Sequence, residues 1–429
     1  MNNIENSPGK GQHLPQAPRG SVRALTLKYR EAAARFIGKF TKKQLLWAGI
    51  SSAIVLVLAA TAILLWFFRN PPLEYIPPPE ETASLPAPAD DPVAIPDPEP
   101  EPGPEIIPRS PLSGRPVSPE DLSLRPIAVV INNFSSSLPQ SGIAGADLIY
   151  EVLAEGDITR MVVFFQKPEA AKIGSVRSVR DYFVDFALDY DAILVHHGGS
   201  ETGYARIKAQ HIDDLDGMQL EGSAFWRDPV RVSQKGMYEH SSYTNAERIE
   251  AAIAKYSYRR EQNEGDHYGF AFYTEEGLFE DAVRESGADY RPCPEITVPF
   301  SRNYTRRFIY DPDEKRYDVF NRSGPHVDEE LGNGPEAQLH AANILVQYVH
   351  MRVIPGDQAG HREVTTTGAG EGLFFTEGGC VPITWERESL TTPTSWFLTE
   401  GRPLELNPGL TWICVLQSSV KVQTGDDAT

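Results

Sequence analysis

Cysteine is scarce in this chain. Only Cys293, Cys380 and Cys414 occur among 429 residues. No CxxC and no Cys/His cluster with zinc-ligand spacing is present, which argues against a structural zinc site. Outside the cytoplasm one pair could join as a disulfide and leave one thiol over. Spacing does not choose among the three pairings, and all three can equally be small buried apolar residues. Gly-x-Ser-x-Gly, the P-loop, the dinucleotide glycine fingerprint and His-Glu-x-x-His are all missing. Their absence argues against the common hydrolases, nucleotide binders and zincins. Positive charge is short as well, with 40 Lys and Arg against 59 Asp and Glu and a net charge of -19. Such an acidic body is a poor partner for nucleic acid. No internal repeat is visible.

The charge is unevenly spread. Residues 1–43 hold Lys10, Arg19, Arg23, Lys28, Arg30, Arg35, Lys39, Lys42 and Lys43 against Glu5 and Glu31, and read as a basic cytoplasmic tail. Residues 44–68, "QLLWAGISSAIVLVLAATAILLWFF", carry no charge. As a helix this run crosses a hydrocarbon core of roughly 30 Å, with Trp47 and Trp66 at interfacial depth. It is longer, and starts later, than the apolar part of a signal peptide. The expectation is an uncleaved single-pass anchor at the cell membrane, with the N-terminus in the cytoplasm and the remainder outside by the positive-inside bias. Residues 69–111 are rich in Pro and acidic side chains and read as a disordered, extended spacer.

Folded structure is expected from residue 112. "PIAVVINN", "ADLIYEVLAEG", "TRMVVFFQ" and "DAILVHHGGS" read as strands; "SVRDYFVDFALDY", "ETGYARIKAQ" and "TNAERIEAAIAKY" read as helices. This alternation predicts an α/β N-terminal domain over 112–260. Residues 261–420 break into short aromatic and β-branched runs, such as "EITVPF", "NILVQYVHMRVI", "GLFFTEGG" and "LTWICVLQ", divided by Gly, Pro, Asn and Asp. They predict a mostly antiparallel β C-terminal region, followed by a disordered tail over 421–429.

Candidate sites come from charge placed at element ends. Arg160, Arg177 and Arg180 surround an apolar strand and a helix start, where guanidinium forks could clamp an anion. The competing reading is structural pairing with Glu151, Glu155, Asp157 or Asp181, all near in sequence. His196 and His197 end a strand beside Gly198 and Gly199, with Glu201 following; they are possible bases or ligands, or simply core histidines. "FWRDPVRVSQKGMYEHSSYTN", residues 225–245, packs Arg227, Asp228, Arg231, Glu239 and His240 into a loop that could wall a cleft.

"ADLIYEVLAEGDITRMVVFFQ", "IGSVRSVRDYFVDFALDYDAILVHHGGS" and "EHSSYTN" resemble the YerB-like bacterial envelope lipoprotein family, a two-part domain of unknown function. "GLFFTEGGCVPITWERESLTTPTSWF" and "ELNPGLTWICVL" resemble its C-terminal part. The resemblance covers residues 112–418 and implies a membrane-tethered extracytoplasmic protein, with no assigned reaction. Members often carry a cysteine for lipid attachment; none occurs here before Cys293, so a membrane helix takes the place of the lipid. The preferred reading is a noncatalytic module binding a cell-wall glycan or a penicillin-binding-type envelope enzyme, with no cofactor. The alternative is an enzyme handling a phosphate or pyrophosphate on a polyprenyl-linked glycan, with Arg160, Arg177 and Arg180 as the clamp. In it Glu151, Asp157 or His196 would serve as acid or base, or hold a divalent metal. The order of strand, Thr159-Arg160, apolar run and paired arginines resembles in outline the LytR-CpsA-Psr phosphotransferases.

Overall fold

The computed structural model describes residues 107–425 except 264–267, 274–278, 280–282, 284–288 and 333. The expected basic tail, membrane helix and most of the spacer therefore lie outside the described residues, as do residues 426–429. Among the described residues no helix is long and apolar enough to cross a membrane.

The β-branched run Ile127–Asn132 forms β1, and every residue in it is buried. Leu148–Leu153 (β2) and Thr159–Phe165 (β3) are buried throughout as well. Covered on both faces, they read as continuous apolar runs rather than alternating ones. Ile193–His196 (β4) and Asp214–Asp216 (β5) follow. From the C-terminal half come Glu295–Pro299 (β6), Thr305–Asp311 (β7), Arg316–Asn321 (β8), Asn343–Val349 (β9), Gly368–Thr376 (β10), Gly379–Arg387 (β11), Ser395–Leu398 (β12) and Thr411–Gln417 (β13).

One 11-stranded sheet runs in the order Arg291–Pro292, β11, β10, β9, β13, β2, β3, β1, β4, β5, with β12 added on β11. The fold is mixed α/β, with mostly strands in its C-terminal part. Both halves contribute to this sheet, because β13 lies parallel to β2 and places Cys414 opposite Glu151. β9 is parallel to β13, so the C-terminal region is not antiparallel throughout. β6, β7 and β8 belong to a second, 6-stranded sheet. Gln423–Thr424, from the segment expected as a disordered tail, pairs with β6.

Four helices matter for the site. α1 (Asp181–Asp189) buries Phe183, Val184 and Ala187, as its spacing predicts; each large apolar side chain so covered contributes about 1.5–3 kcal/mol. α2 (Glu201–Gln210) starts where the Ser200 side chain accepts from the Gly203 N–H. Asp228 caps α3 (Pro229–Ser233) and Asn245 caps α4 (Ala246–Tyr256) in the same way. Between α3 and α4, Ser242–Thr244 pairs with Trp226–Arg227 and with Ile173–Gly174. That small sheet carries the 225–245 loop back toward the carboxyl ends of β1 and β4.

Candidate functional site

The structure divides the three arginines. Arg160 opens β3, gives Nη2 to Glu155 at 2.8 Å and gives Nη1 to the Ser178 carbonyl at 2.8 Å. Arg180, the residue before α1, pairs with the same Glu155 carboxylate and donates to its neighbour's carbonyl at Val179. Both guanidiniums are nearly covered, and burial lowers both pKa values, to about 9 for Arg160. Two guanidiniums share one half-buried carboxylate, which balances one of the two charges and leaves the buried Arg180 Nε without a hydrogen bond among the described residues.

Arg177 reaches a different partner. Its Nη1 donates to the Glu239 carbonyl at 2.8 Å, and Nη2 reaches the Glu239 carboxylate only at 3.4 Å. The Glu239 side chain is 75% exposed, so the pair is weak and open to competition. Burial lowers the Arg177 pKa; Glu239 opposes this, and the like charge of Arg227 adds to it. Arg177 and Arg227 line a 460 Å³ pocket together with His197, Tyr204, Met218 and Tyr238.

The pocket sits where β1, β4 and β5, all parallel, deliver their carboxyl ends. Open α/β sheets bind ligands at such ends. His197 follows β4 directly and is pushed down to about 4 by burial and by Arg227. Its neutral ring accepts at Nε2 from Arg227 Nη2 at 2.7 Å, so Nδ1 carries the proton and donates to Ser242 Oγ at 2.7 Å. Only glycine fits at 217, because a Cβ there would fall 2.1 Å from His197 Nδ1. Asp216, at the end of β5, accepts from the Gly198 N–H and the Tyr204 hydroxyl, each at 2.8 Å. Arg227 also meets Glu221 at 3.1 Å and lies 4.6 Å from the centre of the Tyr238 ring.

The other candidates fall elsewhere. His196 is fully buried between the Gly198 carbonyl and Asp214, a core histidine. Asp228 caps α3 and pairs with Lys172 at 3.2 Å. Glu201 is exposed in the first turn of α2. Glu151 is buried away from the pocket, and Asp157 is exposed in the β2–β3 turn. His240 accepts from Asn132 Nδ2 at 2.7 Å and stacks on Phe134, with ring centres 5.0 Å apart. Ser242 is 1% exposed, so its bond to His197 does not present a reachable nucleophile. Among the described residues no group of His, Cys, Asp and Glu is placed to hold a metal ion.

What this arrangement can do chemically is hold an anion between two guanidiniums in a pocket that Tyr204 and Tyr238 also line. Its relatives agree with the fold and assign no reaction. Residues 112–259 match the N-terminal domain, and residues 296–413 the C-terminal domain, of the protein of unknown function DUF3048. The chain belongs to the DUF3048 family. It is 30% identical over 315 residues to "Putative lipoprotein YerB" of Bacillus subtilis (strain 168), spanning 72% of this chain and 86% of that protein. The crystal structure of the Bacillus subtilis YerB protein matches with a TM-score of 0.61 at 27% identity, over 74% of this chain and 99% of that one. The sequence resemblance to the YerB-like family is thereby established.

In this DUF3048 protein the sequence signals missed half of the pocket wall. Tyr204 and Met218 lie on the surface with no motif around them. Tyr238 stands in the quoted 225–245 loop but carries no charge to draw attention.

Proposed function

We propose that this DUF3048 protein is a membrane-tethered envelope module that binds an anionic group of a cell-wall polymer at the Arg177–Arg227 pocket, without catalysis. The observation that carries this reading is the state of Arg177. Its guanidinium is desolvated, sits beside a second cation and, apart from the Glu239 carbonyl, meets among the described residues only that residue's exposed carboxylate. An incoming phosphate or carboxylate relieves that repulsion and supplies bidentate partners. The partly exposed side chains of Tyr204 and Tyr238 suit the sugar next to such a group. The uncharged run 44–68 serves as anchor and the acidic spacer as a stalk. YerB is itself named as a lipoprotein, which supports the envelope location.

Arg160 and Arg180 both turn to Glu155 and do not line the pocket of Arg177 and Arg227, which weighs against a three-arginine phosphate clamp. Titration calorimetry with pyrophosphate and with galacturonate tests the reading. Both should bind wild type, and Arg177→Ala and Arg227→Ala should each weaken them about tenfold or more. Equal affinities for variants and wild type would remove the pocket from consideration. A carboxyl-terminal reporter active only in the cytosol would remove the envelope assignment.

A further inference from the structure

A second cavity, of 670 Å³, lies along the same edge of the central sheet. β1, β2 and β4 run in one direction, since β1 and β2 are both antiparallel to β3 and β4 is parallel to β1. The first pocket opens at the carboxyl ends of β1, β4 and β5. The second is lined by Asn133, just past β1, by Glu151 near the end of β2, and by Asp157 in the turn after it. A stacked pair of rings links their linings. Phe134 lines the second cavity and stacks on His240 at an interplanar angle of 11°. His240 adjoins Glu239, which lines the first pocket. Asn132 Nδ2 holds the His240 ring in place at 2.7 Å.

The second cavity has its own chemistry. The rings of Phe134 and Tyr304 are half-buried in its wall, and the Tyr304 hydroxyl bonds the Ser135 backbone. Arg322 is exposed at the rim, where its one hydrogen bond among the described residues reaches the Arg302 carbonyl at 3.4 Å. Aromatic faces stack on the C–H faces of sugar rings, and a loosely held guanidinium takes a carboxylate or phosphate. Each cavity alone has the size of an ordinary small-molecule pocket, and the two in line exceed what one small ligand fills.

We propose that the pocket and this cavity are successive subsites for one extended anionic polysaccharide. A charged group sits between Arg177 and Arg227, the chain crosses the Phe134–His240 stack, sugar rings lie against Phe134 and Tyr304, and a later charge meets Arg322. The proposal rests on the anion-binding reading of the first pocket, and its test separates the two. Calorimetry on the full chain compares galacturonic acid with oligogalacturonides of increasing length. The hexamer should bind about ten- to a hundredfold more tightly than the monomer, because linked contacts raise effective concentration. Arg322→Ala, at an exposed site, and Tyr304→Ala should each remove most of that gain and leave monomer binding unchanged. A hexamer no tighter than the monomer, with Arg177 still required, overturns the shared groove while the first pocket stands. Binding of neither sugar by wild type overturns both. An oligonucleotide of equal charge binding as tightly as the hexamer overturns the assignment to polysaccharide.

Discussion

Arg306 Nε lies 2.9 Å from a Glu151 carboxylate oxygen, with both side chains 2% exposed. The pair joins β7 of the second sheet to β2 of the central one. Glu151 also accepts from Asn133 Nδ2, Thr159 Oγ1 and Trp412 Nε1, at 2.9, 2.9 and 3.1 Å. His326, forced neutral by burial and by Arg306, accepts from Arg306 at Nδ1 and donates from Nε2 to Gln140 Oε1 at 2.7 Å. This polar network is closed and buried, so breaking it from one side is expensive. Arg306→Met should cost about 3–5 kcal/mol in urea denaturation, because it strands a buried carboxylate. The double variant Glu151→Gln/Arg306→Met should lose clearly less. A single variant within about 1 kcal/mol of wild type would show that the pair does not hold the halves together.

The elements were legible where local pattern decides them. The strand at 127–132, the helix spacing through Phe183, Val184 and Ala187, and the helix in "TNAERIEAAIAKY" all appear as read. Pairing between distant segments was not legible. Nothing local indicates that Thr411–Gln417 slots beside β2, since a fully buried strand lacks the alternation that would assign it a face. The arginines show the same limit. Glu155, five residues from Arg160, was visible as a partner, whereas Glu239 reaches Arg177 from a loop folded back by the small sheet around Ser242. Gly174, ahead of α1, pairs with Tyr243 in the same small sheet.

His197 makes stability pH-dependent with a definite sign. Its folded pKa, about 4, lies below the ordinary 6.5, so on acidification the unfolded chain takes up the proton first. The contribution is whole above about pH 6.5, declines as pH falls, and is lost below about pH 4. His326, also lowered, adds to the same limb. His197→Gln should therefore start from a lower stability and show a shallower decline, by up to about 1.4 kcal/mol per pH unit. Parallel curves for the two proteins across pH 4.5–6.5 (about the span in which the two forms differ) would mean that His197 is not held neutral.

Glu239 competes with any ligand for Arg177. Glu239→Gln removes that competitor and leaves the backbone carbonyl, which holds Arg177 at 2.8 Å, in place. Pyrophosphate affinity should rise about two- to fivefold, the equivalent of an exposed ion pair worth up to about 1 kcal/mol. Thermal stability should stay within about 0.5 kcal/mol, as for other surface changes. Weaker binding by this variant would assign Glu239 to the ligand rather than to the resting state of the pocket.

The three cysteines are not equivalent. The thiols of Cys293 and Cys380 are hydrogen-bonded to each other. The Cys293 N–H donates to the Gly378 carbonyl at 2.7 Å while Cys380 faces Arg291 across the ladder, which puts both side chains on one face. Cys414 lies alone on β13, and burial and then the nearby Glu151 charge raise its pKa. Outside the membrane, a thiol–disulfide oxidoreductase would accept two electrons from Cys293 and Cys380 as both thiols lose their protons and a sulfur–sulfur bond forms. Peptide mapping of unreduced protein, alkylated as cells are harvested, should recover the 293–380 link. Cys414 should react only after denaturation, because its thiol is both buried and kept protonated. A link involving Cys414, or three separately alkylated cysteines, would contradict this pairing.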